Sequence, residues 1–359
     1  MSTALEEANR HLLPMLRQAE HVKGMTLADW DDTLRLARQA RLLGVLGDRL
    51  LRRDGLRLPT PVRGNLRAAV HYAAHRTQLV RMELRDLERA LPPDIPVVLL
   101  KGAAYIVQSL PIAAGRVPND VDLLVRRADL ERAEAALLAA GWETQVDNAY
   151  DERYYREWSH ELPPMRFPGH ALEVDLHHSL APVTGRIRVD DTVLFDQPPV
   201  LPDARYRVLD AEDQIIHAAI HLFQDSELSG SLRDLVDIDG LIRHHATSDA
   251  DWQRLLLRAR RHGAERVLWY ALHYSRSWLA TPVPPELDLP PPPVLARRGM
   301  DWVFARSGPP RIPDRRPRLG ERLGTALGRL RYHLLRMPLR LLVPHLLRKS
   351  FRYGRRSLA

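Results

Sequence analysis

Cysteine is absent from all 359 residues. That excludes a disulfide framework, a zinc–thiolate site, an iron–sulfur cluster and a thiol nucleophile, and it suits a reducing cytosol. Long apolar runs are missing too. No uncharged hydrophobic stretch reaches 18 residues, and MSTALEEANRHLLPML carries Glu6 and Glu7 where a secretory leader would be basic. Neither a leader nor a membrane-spanning helix is expected, and the cytoplasm is the expected location. The chain has no Walker A sequence, no Rossmann glycine triplet, no Gly-x-Ser-x-Gly and no solenoid repeat. Acid is scarce at one end only. Residues 295–359 hold 17 Lys/Arg against three acids (Asp301, Asp314 and Glu321), a surplus of 14; the remainder holds 36 against 42, a deficit of six. A mildly acidic body therefore carries a strongly basic tail, and it is the tail that calls for an anionic partner.

Hydrophobic residues make up 45% of the chain, enough for a buried core. Residues 1–92 read as helical, with Leu36, Leu43, Leu46 and Leu50 on a shared face. The texture changes at 93. Val97–Leu100 reads as a buried strand ending at Lys101-Gly102, followed by a helix over Ala103–Leu110. Val121–Val125 is a second strand. Asp129 is placed to cap a helix over Leu130–Ala140, which Gly141 stops. Trp142–Val146 reads as a third strand, and Met165–Phe167 with Ala171–His177 as a hairpin turning at Pro168-Gly169-His170. Helical texture returns after 208, with Asp210 opening a helix and further helices over Leu232–His244, Trp252–His262 and Arg266–Leu279. The expected organisation is an N-terminal helical region (1–92), an α/β core (93–208), a C-terminal helical region (209–280), a proline-rich linker (281–294) and a basic amphipathic tail (295–359). The fold class is α+β, with a small mixed sheet flanked by helices.

Chemistry is concentrated in the sheet. Asp120 and Asp122 stand two apart on one strand and project to the same side, with Cα atoms roughly 6.5–7 Å apart. Like charges held together call for a cation, and Mg²⁺ takes hard oxygen ligands. Glu173, Asp175 and His177 alternate with Val174 and Leu176, so they also share a face. If the two strands are neighbours, a third carboxylate joins the pair. Three carboxylates can hold two metal ions for an in-line nucleotidyl displacement. Lys101-Gly102, ending a strand and opening a helix, suits a phosphate, and Arg116 lies four residues before Asp120.

The run LLKGAAYIVQSLPIAAGRVPNDVDLLVRRADLERAEAALLAAGWE, followed by LEVDLHHSL, resembles the uncharacterised bacterial nucleotidyltransferases of the polymerase-β-like superfamily. Lys101, Gly102, Arg116, Asp120, Asp122, Gly141, Asp175 and His177 match position by position, and the resemblance covers about 95–265. It implies a nucleotidyltransferase core and NTP as co-substrate. It also implies Mg²⁺, two ions, at Asp120 and Asp122, with Asp175 favoured over Glu173 as the third metal ligand and catalytic carboxylate. Lys101, Gly102 and Arg116 would lie at the phosphates. The acceptor stays open: a sugar, another small molecule, a peptide or a protein hydroxyl. Gly102-Ala103 departs from the usual Gly-Gly or Gly-Ser, which leaves open a non-catalytic nucleotide-binding scaffold.

Other features carry less. His217 and His221 have a metal-compatible spacing but lack the zinc-protease glutamate between them, so packing beside the active site is the expected role. Arg233, Asp234 and Asp237 read as ion pairs internal to one helix. In the tail, Leu319, Leu323, Leu327, Leu330 and Leu334 form a stripe. Arg322, Arg329 and Arg336 recur every seven residues opposite. This pattern fits either a helical hairpin packed on the acidic body or attachment to an anionic membrane surface, as in a peripheral protein of envelope or polysaccharide assembly at the inner membrane face. Few aromatics are available there for base stacking, and no specific nucleic acid is expected as partner.

Overall fold

The computed structural model describes residues 3–344, apart from 18–21, 23, 147, 197–198 and 200–204. The first 92 residues are helical as expected: α1 (Ala4–His11), α2 (Leu13–Arg17), α3 (Leu27–Gln39), α4 (Leu43–Leu51) and α5 (Thr60–Ala90). Thr3 and Thr26 start α1 and α3 with reciprocal capping to Glu6 and Asp29. At 31 residues α5 is the longest element. It backs the sheet, receiving the Trp142 indole N–H on Glu83 (3.2 Å) and the Tyr206 hydroxyl on the Leu84 carbonyl.

The sheet then forms in order along the chain. Its strands and intervening helices are β1 (Val98–Leu99), α6 (Lys101–Val107), β2 (Asp120–Leu124), α7 (Leu130–Ala139), β3 (Glu143–Thr144), α8 (Ala149–Trp158), β4 (Met165–Arg166), β5 (Glu173–His177), α9 (Asp191–Phe195) and β6 (Arg207–Val208). Spatial order is β3-β4-β5-β2-β1-β6. β2 is parallel to β5 and antiparallel to β1; β4 and β5 make the expected antiparallel hairpin. Val121, Leu123, Val174 and Leu176 point into the main core. The opposite face is apolar only at one end, where Val98, Leu100 and Leu124 meet Val193, Leu194 and Phe195 of α9. Period-two alternation therefore leaves the polar residues of β2 and β5 together on that second face.

Several local expectations are revised. The third strand shrinks to Glu143–Thr144. Asp129 precedes α7 but makes no capping bond; its carboxylate meets Arg132 at 3.3 Å. Helix α8 was missed, although Asn148 caps it and Tyr150, Tyr154 and Trp158 recur every four residues. Strand β6 was missed as well; two residues carry too little periodicity to be read, and only pairing with β1 makes them a strand.

Helices α10 (Ala211–Phe223), α11 (Leu232–His245), α12 (Asp249–Arg261) and α13 (Glu265–Leu279) follow. The proline-rich stretch has no regular structure, yet it lies along the body: Arg260 holds Asp288 at 2.6 Å and Leu289 is buried. Beyond it, α14 (Val294–Ser307) and α15 (Leu319–Arg336) pack against each other and on the body. Phe304 is fully buried, its ring centroid 4.6 Å from that of Trp278 and 4.5 Å from that of Tyr274. This part of the tail packs on the body; the basic residues Arg348, Lys349, Arg352, Arg355 and Arg356 near its end lie outside the described residues. No helix among the described residues is long and apolar enough to cross a membrane.

Because Phe304 fills the core between α10 and α13, Phe304→Ala should cost ~3–5 kcal/mol. Urea unfolding would show this as a lower midpoint at unchanged slope. A loss below ~1 kcal/mol would mean that the tail contributes no core.

Candidate active site

Parallel pairing of β2 with β5 sets Asp120 opposite Glu173, Asp122 opposite Asp175 and Leu124 opposite His177. The strand neighbours expected from the sequence are thus real, and three aspartates meet on one face. Glu173 is set apart. It is 43% exposed and held by Arg166 at 2.8 Å, whereas Asp175 sits beside the Asp120/Asp122 pair.

Asp122 is the centre. It is 2% exposed, and one oxygen, Oδ1, receives the Lys101 ammonium at 2.8 Å and faces His177 Nε2 at 3.1 Å. Lys101 is brought there by β1: the Leu100 N–H donates to the Asp122 carbonyl, and the chain turns at Lys101 with a left-handed φ of 42°. A non-glycine residue pays about 1–2 kcal/mol for that conformation, which persists because its surroundings fix it.

The titration behaviour follows from this crowding. Burial alone would raise the Asp122 pKa, but Lys101 and His177 overcome it and hold the carboxyl well below its ordinary value. Asp120 and Asp175 have no such direct partner among the described residues. Burial and then the Asp122 charge push Asp120 up. Burial, Asp122 and Glu161 push Asp175 up to about 8. Burial works against the charged forms of Lys101 and His177, yet the neighbouring carboxylates raise both.

Gly102 and Arg116 interlock. A Cβ at Gly102 would lie 2.0 Å from Arg116 Nη1. Arg116, expected at a phosphate, is buried beneath this turn and ion-paired to Asp237 at 3.1 Å, while its Nη1 has no hydrogen-bond partner. The expected pairing within α11 is accordingly corrected: Asp237 reaches across to Arg116, and Arg233 donates to the Val117 carbonyl at 3.4 Å.

Sequence reading missed a second layer. Residues 160–162 run antiparallel along the end of β5, with Leu162 N–H on the Leu176 carbonyl and His178 N–H on that of His160. This places Glu161 Oε2 3.5 Å from His177 Nε2 and 3.8 Å from His160 Nε2. His160 Nε2 lies 3.4 Å from Asp225, which Arg336 of α15 binds at 2.8 Å. A His-Glu pair before a hairpin was the only local signal, and nothing local linked it to residue 225 or 336. His217 and His221 feel the Lys101 charge, and their pKa values are well below the ordinary range, through burial first for His217 and Lys101 first for His221.

Two donor sets arise. Asp120, Asp122 and Asp175 are oxygen-only, three carboxyls gathered beside the Lys101 and His177 that contact Asp122. That chemistry fits Mg²⁺. His160, Glu161 and His177 have ligand atoms within 4.8 Å of one another and are nitrogen-rich, which suits a transition metal better than Mg²⁺. His217 and His221, expected to pack beside the site, belong to neither set.

An α+β fold with a mixed sheet, paired aspartates on one strand and a Lys-Gly turn beside them matches the class that the sequence resembles, the nucleotidyltransferases. The profile of the uncharacterised nucleotidyltransferase family matches residues 26–280, and the chain belongs to that family. No curated protein matches the chain. Among solved structures, the STING-associated CdnE c-di-GMP synthase from Capnocytophaga granulosa aligns over 92% of this chain and 97% of its own, at 11% identity and a TM-score of 0.27. At that score the likeness supports no conclusion about fold or activity.

Two tests follow from this geometry. Gly102→Ala forces Arg116 off its buried partner and should cost ~1–3 kcal/mol in chemical unfolding; unchanged stability would show that the turn yields freely. The second concerns pH. The folded pKa of Asp175, about 8, exceeds the ~3.9 of an unfolded aspartate. Folding therefore takes up a proton between those values. The linked stability is present at acid pH and lost as pH rises through the folded value. In metal-free buffer, the melting temperature of wild type minus that of Asp175→Asn should fall from about pH 4 to about pH 8. A pH-independent difference would remove the raised pKa.

Proposed function

We propose that this nucleotidyltransferase moves a nucleoside monophosphate from an NTP to a hydroxyl-bearing acceptor in a Mg²⁺-dependent reaction. The observation that carries the reading is the register of β2 and β5, which sets Asp122 against Asp175 beside Asp120 while Lys101 bonds Asp122.

Asp120, Asp122 and Asp175 would hold the metal, Mg²⁺ in two ions. When bound, it neutralises the phosphates and polarises the reacting oxygens. Lys101 supplies positive charge at the edge of the carboxylates, where the triphosphate must approach. Gly102 keeps the turn free of a side chain, and Arg116 supports it from beneath with an N–H still unpaired. The acceptor oxygen bonds to the α-phosphorus, the bond from that phosphorus to the bridging oxygen breaks, and pyrophosphate leaves. Asp175, beside the Asp120/Asp122 pair, takes the acceptor proton in this scheme. His177 and Glu161 act behind Asp122 and fix its orientation.

The test is product analysis after incubation with labelled NTPs, Mg²⁺ and a cellular metabolite extract. A nucleotidylated product with pyrophosphate is expected. NTP binding without any product would leave a nucleotide-binding scaffold instead. Asp122→Asn should lower turnover at least ~100-fold, the scale of losing one charged group at a transition state. Asp175→Asn should lose far more than Glu173→Gln, whose side chain is engaged with Arg166. The reverse ranking would exchange their roles.

A further inference from the structure

The tail helix α15 presents its leucines the wrong way for a packed helix. Leu319, Leu323, Leu327, Leu330 and Leu334 are 74, 48, 45, 48 and 38% exposed. Steps of three and four put them on a single face. Leu339 and Val343, in the helical segment 339–344 that follows a break at 337–338, extend the exposed series beyond α15. The buried side of α15 consists of Glu321, Gly324, Gly328 and Arg336. The glycines let the helix sit tightly on Arg306 of α14 and on the Glu227 carbonyl, while Arg336 reaches in to Asp225. Packing on the body thus uses the small and polar face and leaves the apolar one in water. Contiguous exposed leucines of this kind mark an interaction surface.

We propose that this face docks on an anionic lipid surface. Charge selects the occupant. The only acid of α15, Glu321, is buried against Arg315 and the Ala4 N–H. Arg322 is exposed on the helix and exposed Arg340 follows, while Arg329, also exposed, is paired to Glu227 at 3.0 Å. The last fifteen residues, outside the described part, add Arg348, Lys349, Arg352, Arg355 and Arg356 and no acid. A second copy would bring arginines against arginines, and the basic C-terminal segment would meet the same repulsion if it folded back. A bilayer with acidic headgroups offers apolar depth for the leucines and negative charge for their rim together. The site is independent of nucleotide chemistry, and α15 lies beyond the family-matched residues 26–280.

The experiment is co-sedimentation of the full chain with vesicles of phosphatidylcholine, with and without phosphatidylglycerol, at low and high salt. Binding is expected only with phosphatidylglycerol and should weaken with salt, which screens the arginines. The triple variant Leu323→Glu, Leu327→Glu and Leu330→Glu should lose at least ~tenfold in partitioning, since each buried methylene adds to binding. These side chains are exposed, so its melting curve should be unchanged; the milder triple alanine variant, expected to weaken binding as well, serves if it is not. Equal binding by wild type and a folded variant overturns the proposal, as does no binding, or binding that ignores phosphatidylglycerol. Light scattering showing a dimer that the variant dissolves would assign the face to a second copy and overturn it too. So would leucine-dependent binding to nucleic acid without vesicle binding.

Discussion

Negative charge compressed at the junction of β2 and β5 is the constraint around which the molecule is arranged. Parallel register places Asp122 against Asp175, and strand geometry places Asp120 on the same face. Each carboxylate is partly or wholly withdrawn from water, where repulsion is strong. Asp122 stays ionised only because Lys101 and His177 converge on one of its oxygens. That convergence in turn demands the left-handed turn at Lys101, and the turn demands a glycine next to it, because Arg116 fills the space a side chain would take.

Neutralising the site also shapes parts of the fold far away in sequence. From Asp122 a run of close polar contacts leads through His177, Glu161 and His160 to Asp225 and finally Arg336. Buried charges are tolerated only with partners. Arg336 supplies one from α15, and it also donates to Ser159 at 3.0 Å. Burial raises the Asp225 pKa to about 6, with Arg336 pulling against it. The basic tail is therefore partly a counter-charge for the acidic body. Arg329 and Arg315 add further pairs, to Glu227 and to Glu7, while the leucines of α15 stay outward.

The two faces of the sheet are covered unequally. The main core occupies the Val121/Leu123 face of the sheet, and α9 with its apolar cluster closes one end of the other. Asp120 and Asp175 remain partly exposed between them, so the groups with raised pKa values are also the ones nearest solvent. Two half-buried carboxyls at the rim with a buried, lysine-paired one behind them is an order that local strand geometry makes available and burial enforces.

The sequence by itself determined what alternation and spacing can carry. The two-residue period of Asp120-Val121-Asp122 and of Glu173 to His177 specified which side chains share a face, and Lys101-Gly102 specified a turn after an apolar strand. Helices with clear apolar stripes were legible to within a few residues, and so was the charge split between body and tail. Tertiary structure alone decided the rest, because the deciding contacts join residues with no local pattern in common. Glu161 meets His177 only through an isolated bridge beside β5, and Arg116 finds Asp237 rather than solvent. The tail shows the reason most clearly. Its leucine stripe predicted an apolar face, but which face turns inward depended on Gly324, Gly328 and a buried demand for Arg336, and that demand arises from carboxylates more than a hundred residues away.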